Sequence, residues 1–145
     1  MTQPLRSVSE EAIRGTGARV TRARVEVLAT LLAADRALTH SEIESRNQGL
    51  DRVTVYRVLD WLTKRGLAHR IAGDDRVWRF NAAKDEGGGS HAHAHFKCNG
   101  CGEVICLDKV RAARNIKLPS GYRSQEVELT VKGLCAGCKP TRKHA

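Results

Sequence analysis

The chain has 145 residues, 41% of them apolar and 28% charged, with a formal net charge of +9 and a pI near 9.8. That length fits one domain or two small ones, with modest cores of the kind that often lean on a metal ion. No apolar run approaches a membrane span, and the start lacks the basic, apolar and cleavage segments of a secretory signal, so the expectation is a cytoplasmic protein with no membrane partner.

The positive balance points to a polyanion, of which nucleic acid is the usual one, although a merely soluble basic surface would carry the same charge. Residues 1–90 hold 15 basic and 12 acidic side chains, net +3, and residues 91–145 hold 10 and 4, net +6. Charge alone therefore does not locate a binding face.

Residues 1 to about 10 read as a frayed arm, followed from Glu10 by a weakly periodic helical segment broken at Gly15 and Gly17. Thr21 caps a better helix in which Val25, Leu28, Leu31 and Leu32 recur at helical spacing. Thr39, with Glu42 three places on, opens a short helix in the manner of a capping box, and Asn47-Gln48-Gly49 signals a turn. Asp51 then caps a helix that ends at Gly66. Val55, Val58, Leu59 and Leu62 form its apolar stripe, leaving Val53, Tyr56, Arg57, Asp60 and Lys64 on the other side.

A helix, a turn and a second helix exposing Tyr and Arg is what a major-groove reader requires, and an ordinary amphipathic helix with a solvated face fits that segment equally well. The next segment favours groove reading. Leu67 to Ile71 and Val77 to Asn81 are β-prone runs joined by a turn, a hairpin that makes a wing, with Arg70, Arg76 and Arg79 available to phosphates.

Ala82 to Ser90 contains three consecutive glycines and no apolar period, so it reads as a hinge. The expected organisation is α+β: a winged helix-turn-helix domain over 1–82, a Gly-rich hinge over 83–90, and a small α/β dimerisation domain over 91–145 ending in a basic tail. In that last domain His93–Cys98 and Glu103–Leu107 read as strands, Asp108 as the cap of a helix to about Ile116, and Gln125–Val131 as a half-buried strand. Val110, Ile116, Leu118, Val127 and Leu129 are few apolar residues for such a unit, and a dimer interface is the remedy.

The densest chemistry is His91 to Cys106, HAHAHFKCNGCGEVIC. Cys98, Cys101, Cys135 and Cys138 form two C-x-x-C pairs, the closed thiolate set of a structural zinc site, one per chain. With every position filled by protein no water is activated there, which argues against catalysis. A second group, His69, His91, His93, His95 and Cys106, mixes imidazole with one thiolate and suits zinc better than iron or manganese. His69 could equally be a polar wing residue, and Cys106 a small apolar or redox-sensitive one. His40 and His144 read as a surface residue and a tail residue. A zinc-dependent hydrolase or deaminase is disfavoured, because no glutamate stands beside the histidines as a general base.

Taken together, R-V-T-x-x-R at Arg19 to Arg24, T-V-Y-R-V-L at Thr54 to Leu59, H-x-H-x-x-C-x-x-C-G at His93 to Gly102 and G-L-C-x-x-C at Gly133 to Cys138 resemble the ferric uptake regulator family of metal-dependent repressors, most closely its zinc-sensing branch. The resemblance spans about Arg19 to Cys138. It implies a homodimer that binds palindromic operator DNA when its sensing metal is present, with no small-molecule substrate. It also implies DNA contacts at Arg19, Thr54, Tyr56 and Arg57, beside Arg70 and Arg76 of the wing. Iron-type members usually carry a histidine and two glutamates where this chain has Ala37, Arg79 and Cys106. The implied sensing set is therefore His69, His93, His95 and Cys106, with His91 as alternate, for a second zinc per chain. Sensing of iron, manganese, peroxide or thiol oxidation is the alternative within the family.

Overall fold

The computed structural model describes residues 3–73, 75–83, 93–111, 116–125 and 127–138. The chain divides into two compact units, Met1–Lys84 and Asp85–Ala145.

The first unit opens with α1 (Gln3–Gly15), which begins well before the Glu10 expected for it. Its packed face uses Ser9 and Ile13, both fully buried, and the Ser9 hydroxyl donates to the Leu5 carbonyl at 2.8 Å. A serine in place of an aliphatic residue hides the helical period. Gly15 closes the helix, and Gly17 takes a positive φ of 80° before the next cap.

Helix α2 (Arg22–Ala33) starts where Thr21 accepts the Arg24 N–H, and every residue from Val25 to Leu31 is buried. It is thus central rather than one-sided. The polar members of that run are satisfied: Glu26 pairs with Arg22 at 2.8 Å, and Thr30 accepts from the Asn47 amide at 3.1 Å. Asn47 also donates to the Ile43 carbonyl at 2.8 Å, so the expected turn residue is a buried pin between α2 and the next helix.

That helix, α3 (His40–Arg46), comes after β1 (Leu38–Thr39) and carries the full capping box, with the Glu42 N–H donating to Thr39 Oγ1 at 3.2 Å and Arg36 bridging to Glu42. Helix α4 (Arg52–Lys64) is held at its start by Asp51, which accepts the Thr54 N–H at 2.6 Å. Its stripe is the one read from the sequence: Val55, Val58, Leu59 and Leu62 are buried in a core shared with Ile13, Leu31, Leu38 and Ile43. Gly66, at φ 75°, reverses the chain as only glycine does cheaply.

Strands β2 (Ala68–Ala72) and β3 (Trp78–Ala82) form the antiparallel wing, and β1 adds to β3 to give the order β1-β3-β2. Two-residue β1 has no sequence signature, because it exists only through its pairing of Leu38 with Phe80 and Thr39 with Arg79.

The second unit is a three-stranded sheet in the order β5-β4-β6, with β4 (His93–Cys98) central, β5 (Val104–Arg111) antiparallel to it and β6 (Glu128–Gly133) parallel. The helix expected from Asp108 does not begin there: β5 continues through Asp108 to Arg111, which pairs with His93 across a register shift. β-branched Val104, Ile105 and Val110 favour the extended chain over a cap signal from one aspartate. Residues 112–115, the remainder of that expected helix, lie outside the described residues, as do His91, the hinge glycines and the basic tail.

Candidate metal centre and nucleic-acid face

Parallel pairing of β4 with β6 sets Cys98 opposite Gly133, so the chain leaves both strands at the same end of the sheet. The Asn99 N–H donates to the Gly133 carbonyl at 2.7 Å and locks that alignment. One knuckle follows each strand. The result brings the sulfurs of Cys98, Cys101, Cys135 and Cys138 within 4.8 Å of one another.

Tetrahedral zinc with Zn–S of about 2.3 Å requires sulfurs about 3.8 Å apart, and Cys101 Sγ and Cys135 Sγ are 3.8 Å apart. The backbone prepares the same charge. N–H groups of Gly100 and Cys135, each at 3.3 Å, and of Cys101 at 3.5 Å aim at Cys98 Sγ. Those donors, Cys101 and Cys135 foremost, lower the Cys98 thiol to about 6. Hydrogen bonding to Cys135 and the other sulfurs pushes Cys138 up to about 12, and Cys135 is also raised. Four thiolates this close repel one another unless a cation sits among them, and the donor set fits zinc.

Within the cysteine cluster the sterically constrained glycine is Gly100, inside the first knuckle: a Cβ there would lie 3.0 Å from Cys138 Sγ and 3.1 Å from its Cβ. Gly102, at φ 81°, makes the turn after Cys101, whereas Gly137 is unconstrained by comparison.

Of the second group, His95 and Cys106 are brought together. They are register partners on β4 and β5, and directly opposed residues share a face of the sheet. His95 is buried and Cys106 half-buried. His93 lies two places earlier on β4, beside the register shift. His69 belongs to the first unit, half-buried on β2 opposite Asn81.

Two positions where iron-type relatives carry ligands are closed to that role. Ala37 is 1% exposed, and Arg79 is committed to Asp75 through contacts of 2.9 and 3.0 Å. This forked bond raises the Arg79 guanidinium and lowers the Asp75 carboxyl to about 2. The sequence offers the Arg79 charge to phosphates; instead the hairpin turn, with side-chain-free Gly73 beneath it, turns that charge inward.

The remaining predicted DNA contacts stand on the surface of the first unit. Tyr56 is 66% exposed, Arg57, Arg70 and Arg76 are exposed, and Thr54 is half-buried in the first turn of α4. Arg70 lies over the Trp78 ring at 4.2 Å, and Arg76 occupies the wing turn at φ 64°. Exposed Arg19 accepts a hydrogen bond from Arg24 through its carbonyl at 2.6 Å, leaving its own side chain outward at the start of α2.

The profile of the ferric uptake regulator family matches residues 15–132. FurA of Mycobacterium tuberculosis, a transcriptional regulator, is 29% identical over 134 residues, covering 88% of each chain. The zinc uptake regulation protein of Escherichia coli is 26% identical over 145 residues, covering 94% of this chain and 82% of that one. Among solved structures, a zinc uptake regulator complexed with zinc and DNA matches with a TM-score of 0.69 at 22% identity over 94% of this chain and 93% of its own. The Helicobacter pylori ferric uptake regulator matches with a TM-score of 0.59 at 20% identity, over 97% and 95%. The structures speak for the fold, and the profile covers most of the sequence. This chain belongs to the ferric uptake regulator family, whose members are transcriptional regulators and not enzymes.

Proposed function

We propose that this protein is a zinc-responsive transcriptional repressor of the cytoplasm that binds palindromic operator DNA as a homodimer. The observation that carries the choice of signal is the pairing of His95 with Cys106, an imidazole and a sulfur on one face of the sheet. Nitrogen and sulfur donors together suit Zn²⁺ better than Fe²⁺ or Mn²⁺, and the burial of Ala37 and the Arg79–Asp75 bond take two iron-type positions out of use. The proposed regulatory ligands are His69, His93, His95 and Cys106, with His91 as alternate. Cys98, Cys101, Cys135 and Cys138 would hold the structural zinc. Bound metal would supply divalent charge and a fixed donor geometry. His69 comes from the wing and the other ligands from the second unit, so binding would favour one domain arrangement over others.

Two further observations support the assembly and the DNA face. Leu129 and Val131 alternate on β6, an edge strand, and are 41% and 42% exposed. Apolar edges of that kind need cover, and a second copy provides it. No helix among the described residues is long and apolar enough to cross a membrane. On α4, Tyr56 and Arg57 point away from the buried stripe and are positioned for base edges, while Arg19, Thr54, Arg70 and Arg76 serve the phosphates.

Operator binding titrated with Zn²⁺, Fe²⁺ and Mn²⁺ at buffered free concentrations tests the signal. Zn²⁺ should drive binding at the lowest free level; Fe²⁺ or Mn²⁺ acting at lower levels would overturn the zinc assignment and leave the DNA assignment standing. Arg57→Ala should weaken operator affinity by about 1–3 kcal/mol in fluorescence anisotropy if Arg57 reads a base. A uniform loss on operator and random duplex alike would demote it to a phosphate contact.

A further inference from the structure

Between the start of α3, the start of α4 and the turn end of β3 lies a cleft of about 650 Å³. Its apolar lining includes Val53, Tyr56 and Trp78, which are 56%, 66% and 48% exposed. A surface this apolar on a strongly basic chain calls for an occupant.

Two observations identify its chemistry. First, the cleft is continuous with the reading face of α4: Arg52 lines it together with one carboxylate, Glu44, and Arg70 lies nearby against the Trp78 ring. In helix-turn-helix proteins the second helix enters the major groove while the first crosses a backbone strand. A strand passing between reading helix and wing would therefore occupy this cleft. Second, His40, on the cleft wall, has its Nε2 buried without a hydrogen-bond partner. Its Nδ1 lies 3.8 Å from Glu44, and the Tyr56 ring stands 6.1 Å from its own. An unmade hydrogen bond on a buried nitrogen is a cost that a ligand oxygen removes.

We propose that this cleft seats one sugar–phosphate strand of the operator, with His40 Nε2–H donating to a phosphate oxygen and Val53 and Trp78 packing against deoxyribose. Nε2 is covered in the free chain, so seating the strand requires side chains of the cleft wall to move; Tyr56, whose ring stands 6.1 Å from that of His40, is the base-reading residue on that wall. His40 is then a register-fixing contact rather than the surface histidine its sequence context suggests. The inference rests on the operator-binding reading above.

The test uses the zinc-loaded full chain and a duplex selected by it from a randomised pool. Each phosphate of a half-site is replaced in turn by a neutral methylphosphonate. Wild type should lose roughly tenfold in affinity at one such position attributable to His40. His40→Ala should lose a similar factor on the unmodified duplex and be indifferent to that one replacement, while remaining sensitive to the others. His40→Gln, which keeps an N–H donor, should recover part of the loss, with zinc content and thermal unfolding confirming that both variants fold. If His40→Ala binds like wild type, or keeps its sensitivity at every phosphate, this assignment is wrong. If wild type selects no duplex, the operator-binding reading falls and this one with it.

Discussion

Cys98→Ser should abolish tight zinc binding at the four-cysteine cluster and unfold the second unit while the first keeps its structure. Among the described residues of the second unit, the buried ones are Ala94, His95, Cys98 and Val104, and everything from Ile116 to Arg123 is exposed. A sheet with so few buried side chains has little apolar burial to hold it, and structural zinc in small domains contributes about 10–16 kcal/mol of apparent binding energy. Cys98 is the sensitive position because three N–H groups converge on its sulfur. Serine would leave those donors facing a shorter, weaker ligand.

Metal analysis should show loss of the tight zinc, and hydrogen exchange should show protection lost in β4, β5 and β6 and kept in α2 and α4. Retained protection in the sheet would refute a folding role for the metal. The same site sets a pH dependence. At pH 7 Cys98, lowered to about 6, is already thiolate, whereas Cys138, raised to about 12, and Cys135, also raised, hold their protons. Metal uptake must expel protons from those two thiols, so apparent affinity should rise with pH and the metal should be released as pH falls. Calorimetry in buffers of different ionisation enthalpy would count the protons.

The readable parts of the sequence were those where a local group satisfies a local need. Thr21, Thr39 with Glu42, and Asp51 each cap the helix that comes next, and Gly66 ends α4, because the backbone groups they satisfy lie within a few residues. The paired C-x-x-C spacing likewise predicts a cluster of four thiolates. Other features depend on pairings and neighbours that a reading of caps and apolar period does not weigh. Strand β1 is two residues long and is defined only by β3. Asp108 has the chemistry of a cap but lies in a strand whose neighbours outweigh it. Arg79 resembles a free wing cation until the hairpin brings Asp75 to it. The constraint on Gly100 comes from Cys138, which the parallel β4–β6 pairing delivers. A serine on the packed face of α1 conceals that helix from a reading of apolar period alone.

The second large effect expected is loss of the metal response in Cys106→Ala. The four-cysteine cluster is complete without Cys106, and alanine fits a half-buried strand position, so the structural zinc and the dimer should persist. What disappears is the sulfur opposite His95. Altering even an outer partner of a metal ligand costs about 10–100-fold in affinity, so deleting a direct ligand should cost at least about 100-fold. At about 1.4 kcal/mol per tenfold, that is about 2.8 kcal/mol withdrawn from the arrangement the metal favours. In a buffered Zn²⁺ titration of operator binding, the midpoint should move beyond the range in which wild type responds. An unchanged midpoint would remove Cys106 from the sensing set. Cys106→Glu provides the complementary test, because it restores an oxygen donor where iron-type relatives carry one. If the donor at this position sets the signal, the variant should shift its preference from Zn²⁺ toward Fe²⁺ and Mn²⁺. Cys106→Glu that stayed zinc-selective would mean that the imidazoles, and not the sulfur, define the metal.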